Sequence, residues 1–475
     1  MTTTDPRGEG PDALAELATV PLGEVDPARS RHAGRRSAVA VVAADGDTGG
    51  DLLAVAGLAD GTLVAVAPDG TERWRYTPTD GAGGVVTLVP FGDGVLVGER
   101  GADGWIRHHS AATGERRWRH RSADDVGDPE RDSRFYLPFV ADAAATTIDG
   151  EPRAFVAARR YERSGDADSP RHFESVVAAF EPDGQVAWRY PAAASPIAVD
   201  ATPSPGSGSP GDGGRVAVGY NRCSDPEEHD TGLVVLDAAE GTERLRWDPG
   251  GAMDEPPGQR RVGDVSLTPA GPVVASHADY RGYALDPDGD VRWRVDLARP
   301  VERAVDDGTD VVYAYPNHVH ATGGGRDAGG ASEGGAADAL SDEGAAADVL
   351  FVTGNTYPEA GRETEARHPR EHTAIGVRDG AERWTAPVGG FATGVGADAS
   401  RVAVPSAQHF RDRDAATHAL RTFDVDSGPT GARPSEGVVT CAAVAGDLLA
   451  AVEEPVVYHD EGVEHGAYRL RLFDS

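Results

Sequence analysis

The chain has 475 residues, 39% of them apolar, with 61 glycines and 33 prolines, so it can bury a sizeable core but builds it from many short elements and turns. Its 45 basic residues are all arginine and stand against 78 acidic ones, a formal charge of −33 that argues against a nucleic-acid partner. No run of 18 apolar residues occurs, which excludes a membrane-spanning helix.

Complete loss of lysine on an acidic chain marks a protein adapted to fold in multimolar salt. Carboxylates stay hydrated there, and the Debye length falls to about 3 Å near 1 M, so self-repulsion is screened. The opening residues "MTTTDPRGEGPDALAELATV" contain no basic region followed by an apolar run, and residues 1–13 are expected to be disordered. The twin arginine Arg35–Arg36 lies far inside the chain and precedes only a short apolar stretch, which reads as a strand. A cytoplasmic location is expected. "DGDTGGD", Asp45 to Asp51, begins like a calcium loop, but its twelfth position is Ala56 and it reads as an acidic turn.

From Pro68 onward a phrase recurs. "PDGTERWRY" at Pro68–Tyr76 returns as "PDGQVAWRY" at Pro182–Tyr190 and as "PDGDVRWRV" at Pro287–Val295. Trp74, Trp118, Trp188, Trp247, Trp293 and Trp384 each follow an apolar run, a turn and a short strand. Gly70, Gly114, Gly184, Gly289 and Gly380 precede their tryptophans by four residues, whereas Gly241 precedes Trp247 by six. Asp-Gly or Thr-Gly between two β-rich runs predicts a tight hairpin, because glycine accepts the positive φ that the turn demands. Two further strand-like runs lie upstream of each hairpin, giving four short antiparallel strands per unit, the blade of a β-propeller.

Six units end at these tryptophans. A seventh, "FATGVGADASRVAVPSAQHF…HALRTFDVDSG", lacks one, and an eighth stops at Ser475 without its last strand. The predicted fold is an all-β, eight-bladed propeller, with seven blades as the alternative, closed by an N-terminal strand drawn from Leu14–Arg31. Residues 14–475 are expected to form a single domain. The tryptophans are 44, 70, 59, 46 and 91 residues apart, so the longer intervals hold insertions. The clearest is the low-complexity stretch at 323–348, with smaller ones near 122–134, 161–172, 203–213, 226–231, 361–371 and 411–416.

The phrases "ALDPDGDVRW", "VVLDAAEGTERLRW" and "SAATGERRW" resemble the repeat named after pyrroloquinoline quinone, and they recur over nearly the whole chain. That family includes quinoprotein alcohol dehydrogenases and a bacterial outer-membrane assembly lipoprotein, both eight-bladed. The resemblance implies that the six tryptophans dock neighbouring blades together and are structural. It does not imply a quinone, since many members bind none.

A quinoprotein would need adjacent cysteines, but Cys223 and Cys441 lie 218 residues apart. It would need oxygen ligands for calcium, and Asn221, Asn317 and Asn355, the only asparagines, sit in no ligand motif. In "YPNHVH", His318 and His320 would share one face of a strand, as two metal ligands would, with His368 and His372 of "RHPREH" near in sequence. Polar residues at a strand end remain the preferred reading, and no metal or cofactor is assigned. No nucleophile elbow, phosphate loop or HExxH motif occurs. The sequence therefore points to a non-catalytic scaffold presenting its loops to a protein partner. The alternative is an enzyme, quinoprotein dehydrogenase-like or a hydrolase, with its site in the central channel. Convergent carboxylates and histidines at the channel mouth would favour the enzyme, and a channel of small and aliphatic residues the scaffold.

Overall fold

The computed structural model describes residues 13–28, 36–44, 51–79, 81–133, 135–163, 172–204, 214–251, 260–322, 347–362, 364–408, 417–458 and 462–475. The acidic turn at 45–50, most of the 323–348 insertion and residues 1–12 lie outside this set. At the insertion's far end, Asp348 already belongs to a strand and forms a bidentate pair with Arg378.

The protein is all-β, a succession of four-stranded antiparallel sheets of the β-propeller kind, with one short helix among the described residues, Ala123–Val126. The first sheet runs through Ala38–Ala43, Leu52–Gly57, Leu63–Val66 and Glu72–Tyr76. The second comprises Gly84–Phe91, Gly94–Arg100, Trp105–Ser110 and Arg116–Arg121, and a bridge from Arg100 to Phe139 joins it to the third. The third comprises Phe139–Ile148, Glu151–Glu162, His172–Phe180 and Val186–Ala192. The fourth is Ser195–Thr202, Arg215–Arg222, Leu233–Asp237 and Glu243–Trp247, and the fifth Val262–Thr268, Gly271–Ser276, Arg281–Leu285 and Val291–Asp296.

The sixth sheet has five strands where four were expected: Val301–Val305, Gly308–Ala321, Asp348–Pro358, Thr373–Arg378 and Ala381–Pro387. Register shifts around Pro316 bend its long second strand, which pairs with Val301–Val305 in its first half only. The seventh sheet holds Phe391–Ala392, Gly396–Asp398, Arg401–Gln408, Ala419–Asp424 and Gly428–Pro434. The last holds Val438–Ala445, Leu448–Glu454 and Arg469–Asp474, and its fourth strand is Glu16–Pro21 from the other end of the chain, antiparallel to Arg469–Asp474.

Burial explains the two hydrophobic patterns of each unit. Leu63–Val66 is buried at every position, because both faces of the strand pack on neighbouring sheets. Glu72–Tyr76 is the outermost strand, buries Trp74 and exposes its flanks, and so reads as alternating. The core is a series of clusters, each shared by consecutive sheets. Val55, Leu63 and Trp74 pack with Val85 and Val95, and Leu96 and Ile106 with Val140 and Val156. At the end of the chain Leu448, Val452 and Leu470 pack against Val39, Val41 and Val64 of the first sheet.

Candidate binding site at the loop face

In each unit the turn glycine and the residue four beyond it are set by the same backbone device. Trp74 pairs with Ala65 while Glu72 pairs with Val66, so Arg73 is an extra, bulged residue. The same shift precedes Trp118, Trp188, Trp293 and Trp384. In the fourth sheet the equivalent position, opposite Val235, is Leu245.

The glycine of one unit receives the wedge of the unit before it. A Cβ on Gly114 would come 2.4 Å from Trp74, one on Gly184 2.6 Å from Trp118, and one on Gly241 2.5 Å from Trp188. Gly380 abuts Trp293 in the same way, and Gly70 abuts Ala18 of the N-terminal strand. The indole N–H groups of Trp74, Trp118, Trp188 and Trp384 donate to carbonyls of the next unit, at Ala111, Pro182, Ala238 and Val425, over 2.7–3.0 Å. Trp247 departs from this pattern. Gly289 abuts Leu245, and Trp247 lies edge-on to Tyr283 with centroids 5.0 Å apart. Trp105 lies on a third strand, under the guanidinium of Arg119 at 4.4 Å.

Because the strands alternate in direction, connections one-to-two and three-to-four leave one end of each four-stranded sheet, and of the sixth sheet when its strands are counted from Gly308–Ala321. At that end lie the tryptophan hairpins and the paired residues Thr322 and Asp348. Connections two-to-three, and from each sheet to the next, leave the other end, which carries the described residues of 122–138, 248–261, 359–372 and 455–468. These two ends are the hairpin face and the loop face.

Two contiguous cavities, sharing Asp142 and Thr393–Val395, lie among the first strands of the sheets. The inner one, about 280 Å³, is walled by small and aliphatic residues such as Val39, Val41, Val86, Ala143 and Ala442. The outer one, about 790 Å³, opens at the loop face. It draws its residues from the loop-face ends of strands: Arg100, Phe139, Arg159, Tyr161 and Phe173 from the second and third sheets, and Tyr315 and Tyr357 from the sixth. Among the described residues its lining includes five arginines, Arg100, Arg159, Arg163, Arg222 and Arg260, and two aspartates, Asp142 and Asp264, and all of these but Arg260 hold further partners.

Its aromatic walls carry the guanidinium groups. Arg100 lies 4.0 Å above the ring of Phe139, Arg159 contacts Phe139 and Phe173, and Arg260 lies 4.9 Å from Tyr315. Tyr280, Tyr313, Tyr315 and Tyr357 form a continuous ring cluster behind Arg260. Burial pushes the Tyr280 phenol up to about 12, against the pull of Arg260. On the rim Phe135 is 70% exposed.

The carboxylates at the mouth are engaged in the fold. Asp142 Oδ2 accepts the Val199 amide at 2.9 Å, and Asp264 Oδ2 that of Val319 at 2.9 Å. Between them, Asp200 Oδ2 accepts the Leu267 amide at 2.6 Å. Asp142 and Asp200 stitch the first strand of one sheet to that of the next, and Asp264 stitches the first strand of the fifth sheet to the sixth's long second strand, Gly308–Ala321. The sequence carried a signal for this in "FVADAAA", "PIAVDAT" and "RVGDVSL", a lone Asp in an apolar inner strand. His277 accepts from Asn221 Nδ2 on Nδ1 at 2.9 Å, and burial, helped by Arg260, holds it down at about 3, so it is neutral.

The four histidines singled out by sequence do not converge. His318 Nε2 donates to Ala392 O at 3.1 Å and His320 Nε2 to Ala399 O at 2.7 Å. His368 Nε2 donates to Arg299 O at 2.8 Å, and His372 Nε2 meets Asn355 Oδ1 at 2.5 Å. Among the described residues no three His, Cys, Asp or Glu are grouped to hold a metal. Cys223, just past the strand Arg215–Arg222, and Cys441, in the last sheet, are free thiols, and burial raises both, Cys223 to about 12. Asn221 donates to Val262 O and His277, and Asn355 is taken by His372. Asn317 lines the outer cavity and hydrogen-bonds His277. No helix among the described residues is long and apolar enough to cross a membrane.

Residues 173–337 match the family described as outer membrane protein assembly factor BamB. No curated protein matches the chain significantly. Among solved structures, BamB from Moraxella catarrhalis is similar at 12% identity and TM-score 0.48, covering 98% of this chain and 100% of its own. The quinohemoprotein alcohol dehydrogenase ADHIIG from Pseudomonas putida HK5 shares 12% identity at TM-score 0.49, over 100% of this chain and 78% of its own. The computationally designed Ika8 protein shares 12% at TM-score 0.47, over 97% and 100%. Each is a similarity and says nothing of what this chain binds. The stretch 173–337, with its hairpins at Trp188, Trp247 and Trp293, is thus similar to the PQQ-like repeat family.

Proposed function

We propose that the chain is a non-catalytic, eight-bladed β-propeller that binds a protein partner at its loop face, in a high-salt cytoplasm. The eight-blade count and single-domain reading are supported by the cyclic run of shared clusters, in which the last sheet packs on the first. Closure by the N-terminal strand is supported by the register of Glu16–Pro21 on Arg469–Asp474 and by Gly70 abutting Ala18 where other glycines abut a tryptophan.

One observation carries the choice between scaffold and enzyme. The carboxylates and histidines at the mouth are present, as an enzyme would require, but Asp142 and Asp264 accept backbone amides of the next sheet and His277 is held neutral. A general base needs a reachable lone pair and a pKa near the working pH. These groups hold the ring together instead. The inner cavity is walled mainly by small and aliphatic residues, and its one carboxylate, Asp142, accepts the Val199 amide. What remains at the surface is an arginine–aromatic mouth with an exposed Phe135, the residue types enriched at protein interfaces.

Equilibrium titration with pyrroloquinoline quinone, with and without Ca²⁺, in multimolar KCl tests the non-catalytic reading. No saturable binding is expected. Saturable, calcium-dependent binding would overturn it.

A further inference from the structure

We infer that the neck between the two cavities binds a small uncharged amphiphile, with a hydrogen-bonding head such as a carboxamide at Gly394–Val395 and an aliphatic chain in the inner cavity. This site goes beyond the loop-face interaction proposed above and does not depend on it. Three observations point to it.

The first is a set of bulges. The first strand of the second sheet carries an unpaired extra residue at Val86, and those of the third, fourth, fifth and last sheets at Ala141, Ile197, Gly263 and Thr440. Val86 and Thr440 line the inner cavity, Ile197 and Gly263 the outer one, and Asp142, next to Ala141, lines both. The bulges therefore mark the junction. Bulges collect beside binding sites, where they re-aim the groups around them.

The second is an open stretch of backbone. In the seventh sheet Ala392 pairs with Ser406 and Gly396 with Ala403, which sets Thr393–Val395 against Val404 and Pro405 alone. Pro405 has no N–H to give, so the first strand leaves the ladder there. The backbone N–H and C=O groups of Gly394 and Val395 make no hydrogen bond among the described residues, and both residues line both cavities. Half-buried donors and acceptors of this kind are satisfied by water or by a ligand. Thr393 Oγ1 donates to Thr440 O at 2.5 Å and fixes the open stretch against the last sheet.

The third is Gly394 itself. Glycine is needed where the backbone turns left-handed or where something approaches it closely. A Cβ on Gly263 would collide with the ring of His277 and with Pro316 O, so there the protein demands the glycine. Gly394 has no left-handed φ, and a Cβ on it would meet no atom within 4 Å beyond its chain neighbours. The approach of a ligand supplies the missing reason.

The walls set the chemistry of that ligand. Beyond the neck, Val39, Val41, Val86 and Ala442 offer aliphatic surface, and the one carboxylate is engaged by the Val199 amide. A charged head would be desolvated there without a counter-charge, whereas an amide answers both open N–H and open C=O groups. An apolar cavity of about 150 Å³ accommodates benzene, so this one accommodates a chain of about six to eight carbons.

The test is isothermal titration calorimetry of hexanamide into the full chain in multimolar KCl, beside hexanoate and acetamide. Hexanamide is expected to bind saturably at one site. Hexanoate is expected to bind about tenfold more weakly or less, because its charge must be buried, and acetamide likewise, because it lacks the chain. Gly394→Val, whose side chain enters the neck without meeting a protein atom at Cβ, is expected to weaken hexanamide by about tenfold. Arg75→Gln, on an outermost strand outside both cavities, is expected to bind as the parent does. The comparison of the three ligands needs no variant. Absence of saturable hexanamide binding, or equal binding of hexanoate or acetamide, would overturn the inference. So would unchanged affinity in Gly394→Val with unaltered tryptophan emission, which would put the amide elsewhere. Tenfold tighter binding of N-acetyl-tetraalanine amide would overturn it too, by making the neck a site for a peptide. Each of these results leaves the loop-face reading to its own test.

Discussion

At the scale of single residues, the glycine four positions ahead of each tryptophan does two jobs. Gly114 adopts φ +71 and leaves room for Trp74, 2.4 Å from where its Cβ would be. Gly92 adopts φ +57 with its nearest neighbour 3.8 Å away. Gly92→Ala is therefore expected to cost about 1–2 kcal/mol for the left-handed backbone alone. Gly114→Ala adds overpacking, about 1–3 kcal/mol more. Denaturant unfolding of both variants in constant high KCl reads the difference, and equal losses would contradict the wedge. A second contrast concerns the indole N–H. Trp188 donates to Ala238 O, while Trp247 meets Tyr283 only by its ring. Trp188→Phe is expected to destabilise by roughly 1 kcal/mol more than Trp247→Phe, the net value of one hydrogen bond. Similar losses would show that the cross-unit bond contributes little.

At the scale of elements, the strand Glu16–Pro21 has the weakest covalent claim on its place, since only non-covalent contacts hold it to Arg469–Asp474. Glu16 pins it, accepting from Arg471 at 2.7 Å and Arg433 at 3.1 Å. Burial alone would raise its pKa, but the hydrogen bonds from Arg471 and Thr19 and the two guanidinium charges outweigh it and hold the carboxyl below its ordinary value. A carboxylate lowered in the folded state stabilises fully above its unfolded pKa and loses that contribution as pH falls through the folded one. Closure is thus expected to loosen only below the ordinary glutamate range. In Glu16→Gln this acid step should be smaller, and the variant should already be less stable at neutral pH. Hydrogen exchange of residues 16–21 against pH measures both, and identical profiles would contradict the pin. The repeat made this element legible, because a last unit lacking its fourth strand implies a donor from the other terminus. The five-stranded sixth sheet was not legible. Val301–Val305 looks like any other short strand, and the bend at Pro316 that gives it a partner depends on packing between sheets.

At the scale of the whole molecule, the fold was readable because one local solution is used repeatedly: turn, bulge, wedge and receiving glycine. The site was much less readable. Arg100, Arg159, Arg222 and Arg260 come from different units and share no spacing, so only the ring brings them together. Trp247 marks the limit of the motif, since it kept the composition of the phrase while Leu245 held the wedge position. The charge of −33 makes its own prediction. At 0.1 M salt the Debye length grows to about 10 Å and repulsion along the chain is no longer screened. Tryptophan emission should shift to the red, with loss of cooperative unfolding, as KCl is lowered from multimolar to about 0.1 M. An unchanged spectrum would contradict salt adaptation.

The central claim is that the loop face, and not the hairpin face, meets the partner. Photo-crosslinking tests it most directly, with benzoylphenylalanine placed at Phe135 on the loop face or at Val291, 48% exposed beside a hairpin turn. In a native lysate kept at multimolar KCl, a discrete protein adduct is expected from position 135 and none from 291. An adduct from 291 alone, equal adducts from both, or none from either would contradict the account.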